Sequence, residues 1–255
     1  MYNPRMAVEK IQIIILAAGK GTRMNNDLPK VLVPLAGQPI IKHLLDRIKD
    51  LEFGKPYIVV GHGKEAVIKE LGGNYNYVEQ KEQLGTGHAV NAVKHGVKNE
   101  ASSIVVLYGD QPFTTADTIN KLVEKQVGMN KKIVMATVEL EDFQDWRSNF
   151  VGFSRVIRDK NRKILKTVEY NDATEEEKGV KEVNPCYFCF DAQFLWQELE
   201  KLKTDNTQGE YYLTDVLKSA VEQGIDIESI QIDPREALGA NSKEELEILE
   251  KLMVK

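Results

Sequence analysis

From Ile11 to Leu140 the chain alternates short apolar runs with segments in which apolar residues recur at helical spacing. The strand-length apolar runs are 11–16, 56–61, 75–80, 102–110 and 131–140. The segments with helical spacing are 39–51, 64–71, 85–97 and 115–127. Strands that alternate with helices are typical of βαβ units. The pattern therefore predicts an α/β fold with a doubly wound, mostly parallel sheet.

The pattern changes after Leu140. The predicted strands of this part are 150–159, 163–172 and 181–190, and the predicted helices are 192–201 and 210–223. A last helix follows Ser242, a residue type that caps helices. Since no Pro- or Ser-rich linker separates the halves, we expect a smaller α+β lobe built onto the sheet. The predicted parts are an N-terminal extension at 1–10 and one domain at 11–255, divided at about 11–140, 141–240 and 242–255.

The composition is ordinary for a globular protein, with 255 residues, 42% hydrophobic and 29% charged. A net charge of −5 argues against non-specific binding to nucleic acid. We also expect no membrane span and no signal peptide, because no apolar run of the required length occurs. The expected location is the cytoplasm.

The two cysteines, Cys186 and Cys189, have the spacing of a redox motif or of half a zinc site. Both readings are disfavoured. Residues three apart on a strand point to opposite faces, and neither further cysteines nor a nearby histidine pair complete four zinc ligands.

Three polar sequences follow predicted strands: LAAGKGTRM at 16–24, EQKEQLGTGHA at 79–89 and LYGDQP at 107–112. In open α/β sheets, ligands bind beyond the carboxyl ends of the strands. The agreement of three such loops is the first indication of a binding site.

The loop at 16–24 matches neither a P-loop nor a dinucleotide fingerprint, because Met24 stands where the third small residue would be. Nicotinamide binding is therefore disfavoured. Two interpretations are left. Glycine backbone amides with Lys20, Arg23 and Lys30 can bind a phosphate chain, or the loop is a turn with solvated basic residues.

The other two loops also allow two interpretations. Asp110 is a candidate ligand of a divalent cation or an ordinary turn residue. Gln80, Gln83, Gly85 and Thr86 can recognise a flat base through amides and backbone, or they form a glycine-rich helix entry. His43, His62 and His95 have no supporting partners in the sequence and are interpreted as structural. His88 is expected to begin the helix and to pack or cap there, and not to act as a catalytic base.

Taken in order from Ile11 to Leu249, the motifs resemble those of the sugar-nucleotidyltransferases. The segments that carry the resemblance are 16–40, 78–90, 107–112, 166–174, 182–184, 206–217 and 236–247. They are most similar to the amino-terminal uridyltransferase domain of bifunctional N-acetylglucosamine-1-phosphate uridyltransferases. The resemblance implies a Rossmann-like sheet that binds nucleotide, at about 11–140, and a sugar-binding lobe at about 141–240.

The resemblance further implies an enzyme of cell wall precursor biosynthesis that uses Mg²⁺. It would form UDP-N-acetylglucosamine and pyrophosphate from UTP and N-acetylglucosamine 1-phosphate, by in-line attack on the α-phosphate. Two alternatives stay open. The same chemistry can serve another sugar 1-phosphate or dTTP, and a non-catalytic regulatory protein can bind a nucleotide sugar without turnover.

The resemblance also assigns residues. The catalytic, phosphate-binding residues are Arg23 and Lys30. The nucleotide-binding residues are Leu16, Ala17, Ala18, Gly19, Gly21, Gln80, Gly85 and Thr86. The sugar-binding residues are Gly109, Gly152, Glu169 and Asn184, and the metal ligands are Asp110 and Asn241. Glu210 and the two tyrosines after it are expected near the sugar pocket or behind it, and we favour packing for the tyrosines.

Three features depart from the family. GFSRV replaces the usual GYGRI at 152–156, and Pro185 and Cys186 replace the Thr-Gly that usually follows the sugar-binding asparagine. Proline removes a backbone donor, so these changes weaken the assignment of N-acetylglucosamine. The third departure is that the chain lacks the β-helix that carries acetyltransferase activity and forms trimers. We therefore expect no acetyltransfer and a monomer or weak oligomer, whether the chain is naturally short or a fragment.

Overall fold

The computed structural model describes residues 11–21, 28–97 and 101–253. The strands are β1 Ile11–Ala17, β2 Pro34–Leu35, β3 Gln38–Pro39, β4 Tyr57–Val60, β5 Asn76–Glu79, β6 Ser103–Tyr108, β7 Ile133–Glu139, β8 Ser154–Arg158, β9 Ile164–Val168, β10 Glu182–Asn184, β11 Phe188–Asp191 and β12 Glu228–Gln231. The α-helices are α1 Ile40–Ile48, α2 Lys64–Leu71, α3 Thr86–Ala92, α4 Lys94–Val97, α5 Ala116–Gly128, α6 Glu175–Lys178, α7 Ala192–Leu199, α8 Asp215–Glu222 and α9 Lys243–Met253. In these ranges, every helix is too short or too polar to cross a membrane.

Ten of the described strands form one sheet in the order β5-β4-β1-β6-β11-β7-β10-β8-β9, with β12 also beside β7. The strands β9, β10 and β11 run against the direction of the other seven. The predicted mostly parallel α/β sheet is thus confirmed. The remaining two strands, β2 and β3, form a separate small hairpin.

The sheet is buried on both faces, because alternate residues of β1 enter different apolar cores. Ile13 and Ile15 pack into a core that includes residues of α1, α2, α5 and α9. Ile14 and Leu16 pack into the other core, with residues of α3, α4, α7 and α8. A strand covered on both sides reads as a continuous apolar run, which explains the IQIIIL pattern.

The prediction of one continuous strand at 181–190 is wrong, because this segment forms two strands, β10 and β11. Pro185 cannot donate a ladder hydrogen bond, and Cys186 has a positive φ of 65°. As a result β10 pairs with β7 and β8, whereas β11 lies between β6 and β7. The cysteines, both free thiols, therefore lie on separate segments.

The predicted helix at 210–223 begins later, at Asp215. Its first residues are occupied by backbone pairing with the loop before α3. The Tyr211 amide donates to the Leu84 carbonyl at 2.8 Å, and the Gly87 amide donates to the Tyr211 carbonyl at 2.8 Å. The prediction of a Ser242 cap is confirmed, since its Oγ accepts a hydrogen bond from the Glu245 amide at 3.3 Å.

Candidate active site

The first cavity lies where β1 and β6 end side by side. Leu16 pairs with Tyr108 in the parallel ladder, and the Gly109 amide continues the pairing by donating to the Leu16 carbonyl at 2.9 Å. The cavity has a volume of about 250 Å³. Its lining includes these residues assigned from the sequence: Leu16, Ala17, Ala18, Gly19, Lys30, Gln80, Gly85, Thr86 and Asp110.

Gly21, a predicted nucleotide-binding residue, stands apart from this lining. Gly21, with a φ of 64°, lies against Lys30, and a side chain at Gly21 would come within 2.8 Å of the Lys30 Cβ. Arg23 lies outside the described residues, as does Met24. Gly21 therefore shapes the loop beside Lys30 rather than the cavity wall itself.

Gln80 is fixed in the wall of this cavity. It is 4% exposed, and its Nε2 donates to the Gly85 carbonyl at 3.0 Å and lies 3.1 Å from Nδ1 of His88. His88, at the start of α3, is thus in contact with Gln80, the residue predicted to read the base. A pre-oriented amide of this kind costs little conformational entropy when it binds a ligand.

Gly85 and Thr86 are held by the segment before α8. Gly85 has a φ of 110°, and a Cβ there would lie 2.6 Å from the Tyr211 carbonyl oxygen. The Thr86 Oγ1 accepts a hydrogen bond from the Leu213 amide at 2.9 Å. The close approach of two backbones explains the glycine at position 85.

A second cavity, of about 170 Å³, adjoins the first. Tyr108 and Asp110 line both cavities. The other lining residues assigned from the sequence are Gly152, Glu169, Asn184 and Asn241. Gly109 lies elsewhere: a side chain there would meet Ile41, Leu16 and Val31 at 3.2 Å, so its hydrogen positions face the packed interior.

Lys30, Asp110 and Asn241 meet at the junction of the two cavities. The Lys30 ammonium forms a salt bridge with the Asp110 carboxylate and donates to Asn241 Oδ1 at 2.6 Å. Asp110 is 9% exposed, and its backbone carbonyl accepts a hydrogen bond from the Ala240 amide at 3.3 Å. This bond holds the segment that carries Asn241 beside the segment that carries Asp110. One cation therefore bridges two side-chain oxygens.

The side-chain oxygens at this junction are suited to Mg²⁺. A carboxylate and an amide oxygen are hard ligands, and both already contact one positive charge. No group of three or more His, Cys, Asp or Glu suited to a metal occurs among the described residues. Few protein ligands are typical of Mg²⁺, which usually keeps waters and substrate phosphate oxygens.

The sugar-site candidates are anchored on the far side of the second cavity. Glu169 accepts a hydrogen bond from Thr214 Oγ1 at 2.8 Å. Asn184, 1% exposed, accepts from the Cys186 amide at 2.8 Å through Oδ1. Burial raises the pKa of the Cys186 thiol, so the thiol is protonated near neutral pH and is not a nucleophile.

Tyr108 connects the two cavities and was missed by the sequence reasoning. It lines both of them, and burial raises its pKa well above the usual range. Gln111, in the lining of the second cavity, was also not assigned. Glu210, expected near the sugar pocket or behind it, lines the first cavity instead. The available signal was position at the end of strand β6, since Tyr108 and Gln111 both lie within two residues of Asp110.

Arg155 holds together the backbone around Gly152. It is 1% exposed and donates to the carbonyls of Val151 at 2.9 Å, Lys178 at 3.2 Å and Phe153. Its guanidinium lies over the rings of Phe143, at 4.7 Å, and Tyr170, at 5.2 Å. Because Tyr170 follows Glu169, one buried cation supports two walls of the second cavity.

The chain is similar to known proteins along most of its length. The model of the MobA-like NTP transferase domain matches residues 13–222. Bifunctional protein GlmU of Bacillus licheniformis is 39% identical over 237 residues, which cover 92% of this chain and 50% of that protein. GlmU of Enterococcus faecalis is 40% identical over 247 residues, or 96% and 52% of the two proteins. The chain spans about half the length of these curated relatives.

Solved structures share the fold. A UDP-glucose pyrophosphorylase complexed with UDP-glucose aligns with a TM-score of 0.76 at 16% identity, covering 95% of this chain and 98% of that one. A putative glucose-1-phosphate thymidylyltransferase from Bacillus anthracis aligns with a TM-score of 0.75 at 20% identity, covering 95% and 94%. At such identities the likeness concerns the fold alone.

Proposed function

Because the chain belongs to the family of MobA-like NTP transferase domains, we propose that it is a Mg²⁺-dependent uridyltransferase. It joins UTP and N-acetylglucosamine 1-phosphate into UDP-N-acetylglucosamine and releases pyrophosphate. The observation that carries the proposal is the pair of adjoining cavities with Asp110 in both linings. Two substrates that react with each other need two adjacent subsites and a shared junction.

The first cavity is suited to the nucleotide. Gln80 and the backbone at Gly85 offer fixed hydrogen-bonding groups to a base, which carries its identity in donors and acceptors. Lys30 lines the first cavity at its junction with the second cavity and supplies positive charge to phosphate oxygens. Gly19 can bring the backbone close to an anion without a side chain in the way, since no atom lies within 4 Å of its Cβ position.

The second cavity is suited to the sugar 1-phosphate. Glu169 and Asn184 offer an acceptor and a donor to sugar hydroxyls and to an acyl substituent. A sugar phosphate held there directs its phosphate toward the junction. The oxygen of the sugar phosphate forms a bond to the α-phosphorus of UTP, the bond to the bridging oxygen of the β-phosphate breaks, and pyrophosphate carries away the electron pair.

Asp110 and Asn241 would hold the Mg²⁺ through their side-chain oxygens. When bound, the ion neutralises charge on the phosphate oxygens as the leaving group departs. Lys30 contributes to the same neutralisation from the protein side. A reaction of this type depends on position and charge, so it requires no covalent enzyme intermediate.

A second candidate, the same chemistry with another sugar 1-phosphate, is favoured by one observation. Pro185 and Cys186, which depart from the family, line the second cavity. A changed lining changes which sugar substituents are accepted. Use of dTTP also stays open. The non-catalytic alternative is disfavoured, because Lys30, Asp110 and Asn241 are all retained.

The test is release of pyrophosphate by purified protein incubated with Mg²⁺, four nucleoside triphosphates and a panel of sugar 1-phosphates. We expect the highest rate with UTP and N-acetylglucosamine 1-phosphate. Asp110→Asn, a variant of the same size, should lower the rate by about a hundredfold or more. Chelation with EDTA should abolish turnover, and added Mg²⁺ should restore it. No release with any pair would contradict an enzymatic function.

A further inference from the structure

Gln111 is a buried amide next to the junction, in the lining of the second cavity. It follows Asp110 directly and is only 6% exposed. The resemblance that assigned Asp110 and Asn184 gave Gln111 no role. It is absent from the lining of the first cavity, so its surroundings connect it with the proposed sugar subsite and not with the nucleotide.

The orientation of the Gln111 amide is fixed by two carbonyl groups. Its Nε2 donates to the Pro185 carbonyl at 3.0 Å and approaches the Ala237 carbonyl at 3.4 Å. A flipped amide would place Oε1 against these two acceptors, which is unfavourable. The oxygen is therefore on the other side, and it has no hydrogen-bond partner among the described residues although it is buried.

Asn184 has an unpaired hydrogen-bond donor, whereas Gln111 has an unpaired acceptor. Its Oδ1 accepts the Cys186 amide, which fixes this side chain as well, and its buried Nδ2 has no partner in the described part of the chain. Buried polar groups are normally paired, because an unpaired group has lost its water without replacement. Gln111 and Asn184 both line the second cavity, and each has one oriented amide atom without a partner in the described part of the chain. A ligand that presents a donor and an acceptor would pair both atoms.

We propose that Gln111 determines sugar specificity, with Oε1 accepting a hydrogen bond from a hydroxyl or amide N–H of the sugar 1-phosphate. Asn184 Nδ2 donates to an oxygen of the same sugar. The inference rests on the proposed function, since it assumes that a sugar phosphate occupies the second cavity. A site with paired groups of this kind rejects sugars that lack the matching group, because the amide would stay unpaired.

The test compares wild type with Gln111→Met, which keeps the length and removes both polar atoms. At saturating UTP, the KM for the preferred sugar 1-phosphate should rise about tenfold. The KM for UTP should be unchanged. Sugar analogues that lack one hydroxyl, or the acetamido group, identify the group recognised: for one analogue, wild type and variant should have the same KM. Loss of the difference on a deoxy sugar indicates a hydroxyl, and loss on the sugar without acetamide indicates the N–H.

The matched control is Gln126→Met, because Gln126 is a buried glutamine hydrogen-bonded to Ser103 and Lys131, away from both cavities. It should leave the KM for sugar unchanged. If Gln111→Met does not fold, Gln111→Leu takes its place. An equal KM for sugar in wild type and the folded variant overturns the inference. If wild type releases no pyrophosphate, the proposed function fails, and calorimetric affinities for UDP-N-acetylglucosamine then decide the role of Gln111 in the same way.

Discussion

Lys30 donates a hydrogen bond at 2.6 Å to Asn241, a residue 211 positions further along the chain. The same ammonium forms a salt bridge with Asp110. Lys30 thus neutralises the Asp110 carboxylate and donates to the Asn241 amide oxygen, the two side chains that we propose as metal ligands. A divalent cation that binds these oxygens must compete with the ammonium, and Lys30 is then available to the phosphates.

Lys30→Met should lower kcat by about 10²- to 10³-fold, because a preorganised charge is lost where negative charge develops. It should also strengthen binding of Mn²⁺ in the absence of nucleotide, since the competing ammonium is removed. Pyrophosphate release and calorimetry measure the two effects. Lys160→Met is the control, because Lys160 is an exposed lysine outside both cavity linings. An unchanged kcat in Lys30→Met would remove this residue from the reaction.

The sequence predicted the elements whose patterns are local. The helix at 64–71 has the predicted bounds. The break at Pro185–Tyr187 and strand β12 were missed, because both depend on neighbours that are distant in sequence. The β12 segment, Glu228–Gln231, is short and polar, and it is a strand because it pairs with β7.

The candidate site was predicted unevenly for the same reason. Lys30 and Asp110 follow from strand ends and residue types, but the contact of Lys30 with Asn241 depends on the complete fold. Tyr108 and Gln111 were missed because neither side chain is charged and the resemblance assigned no role to either. Their importance is visible only in burial and in unpaired atoms.

Gly85→Ala should destabilise the protein and raise the KM for UTP. The added Cβ would lie 2.6 Å from the Tyr211 carbonyl, at a φ of 110°. Gly72→Ala is the matched control, since Gly72 also has a positive φ, of 74°, with no atom within 4 Å of the Cβ position. We expect about 1–3 kcal/mol of destabilisation for Gly72→Ala from backbone strain alone, and more for Gly85→Ala. Urea denaturation would contradict the steric argument if the two variants were equal.

Arg155→Met should lower the free energy of unfolding by about 3 kcal/mol or more, because several buried carbonyls lose a charged donor. Arg155→Lys should recover part of the loss. Arg147, which pairs with Asp142 at the surface, provides a control: Arg147→Met should destabilise the protein much less than Arg155→Met. If Arg155 supports the second cavity, the KM for the sugar should rise in Arg155→Lys while the KM for UTP stays constant. Equal changes in both would indicate a general loss of structure.

Two carboxylates should give opposite pH dependences of stability. Burial raises the pKa of Glu210 in the first cavity, so the folded state binds its proton more tightly than the unfolded state. Its contribution to stability therefore decreases as the pH rises through the ordinary glutamate pKa, and Glu210→Gln should be more stable than wild type at neutral pH.

The pKa of Glu177 is instead lowered by hydrogen bonds from Lys166 and the Thr174 amide, so Glu177→Gln should be less stable at neutral pH. Both differences should shrink as the pH falls to about 4, where the carboxylates gain protons. Urea denaturation at the two pH values measures them, and differences of the same sign would contradict the assignment of Glu210 as a desolvated group.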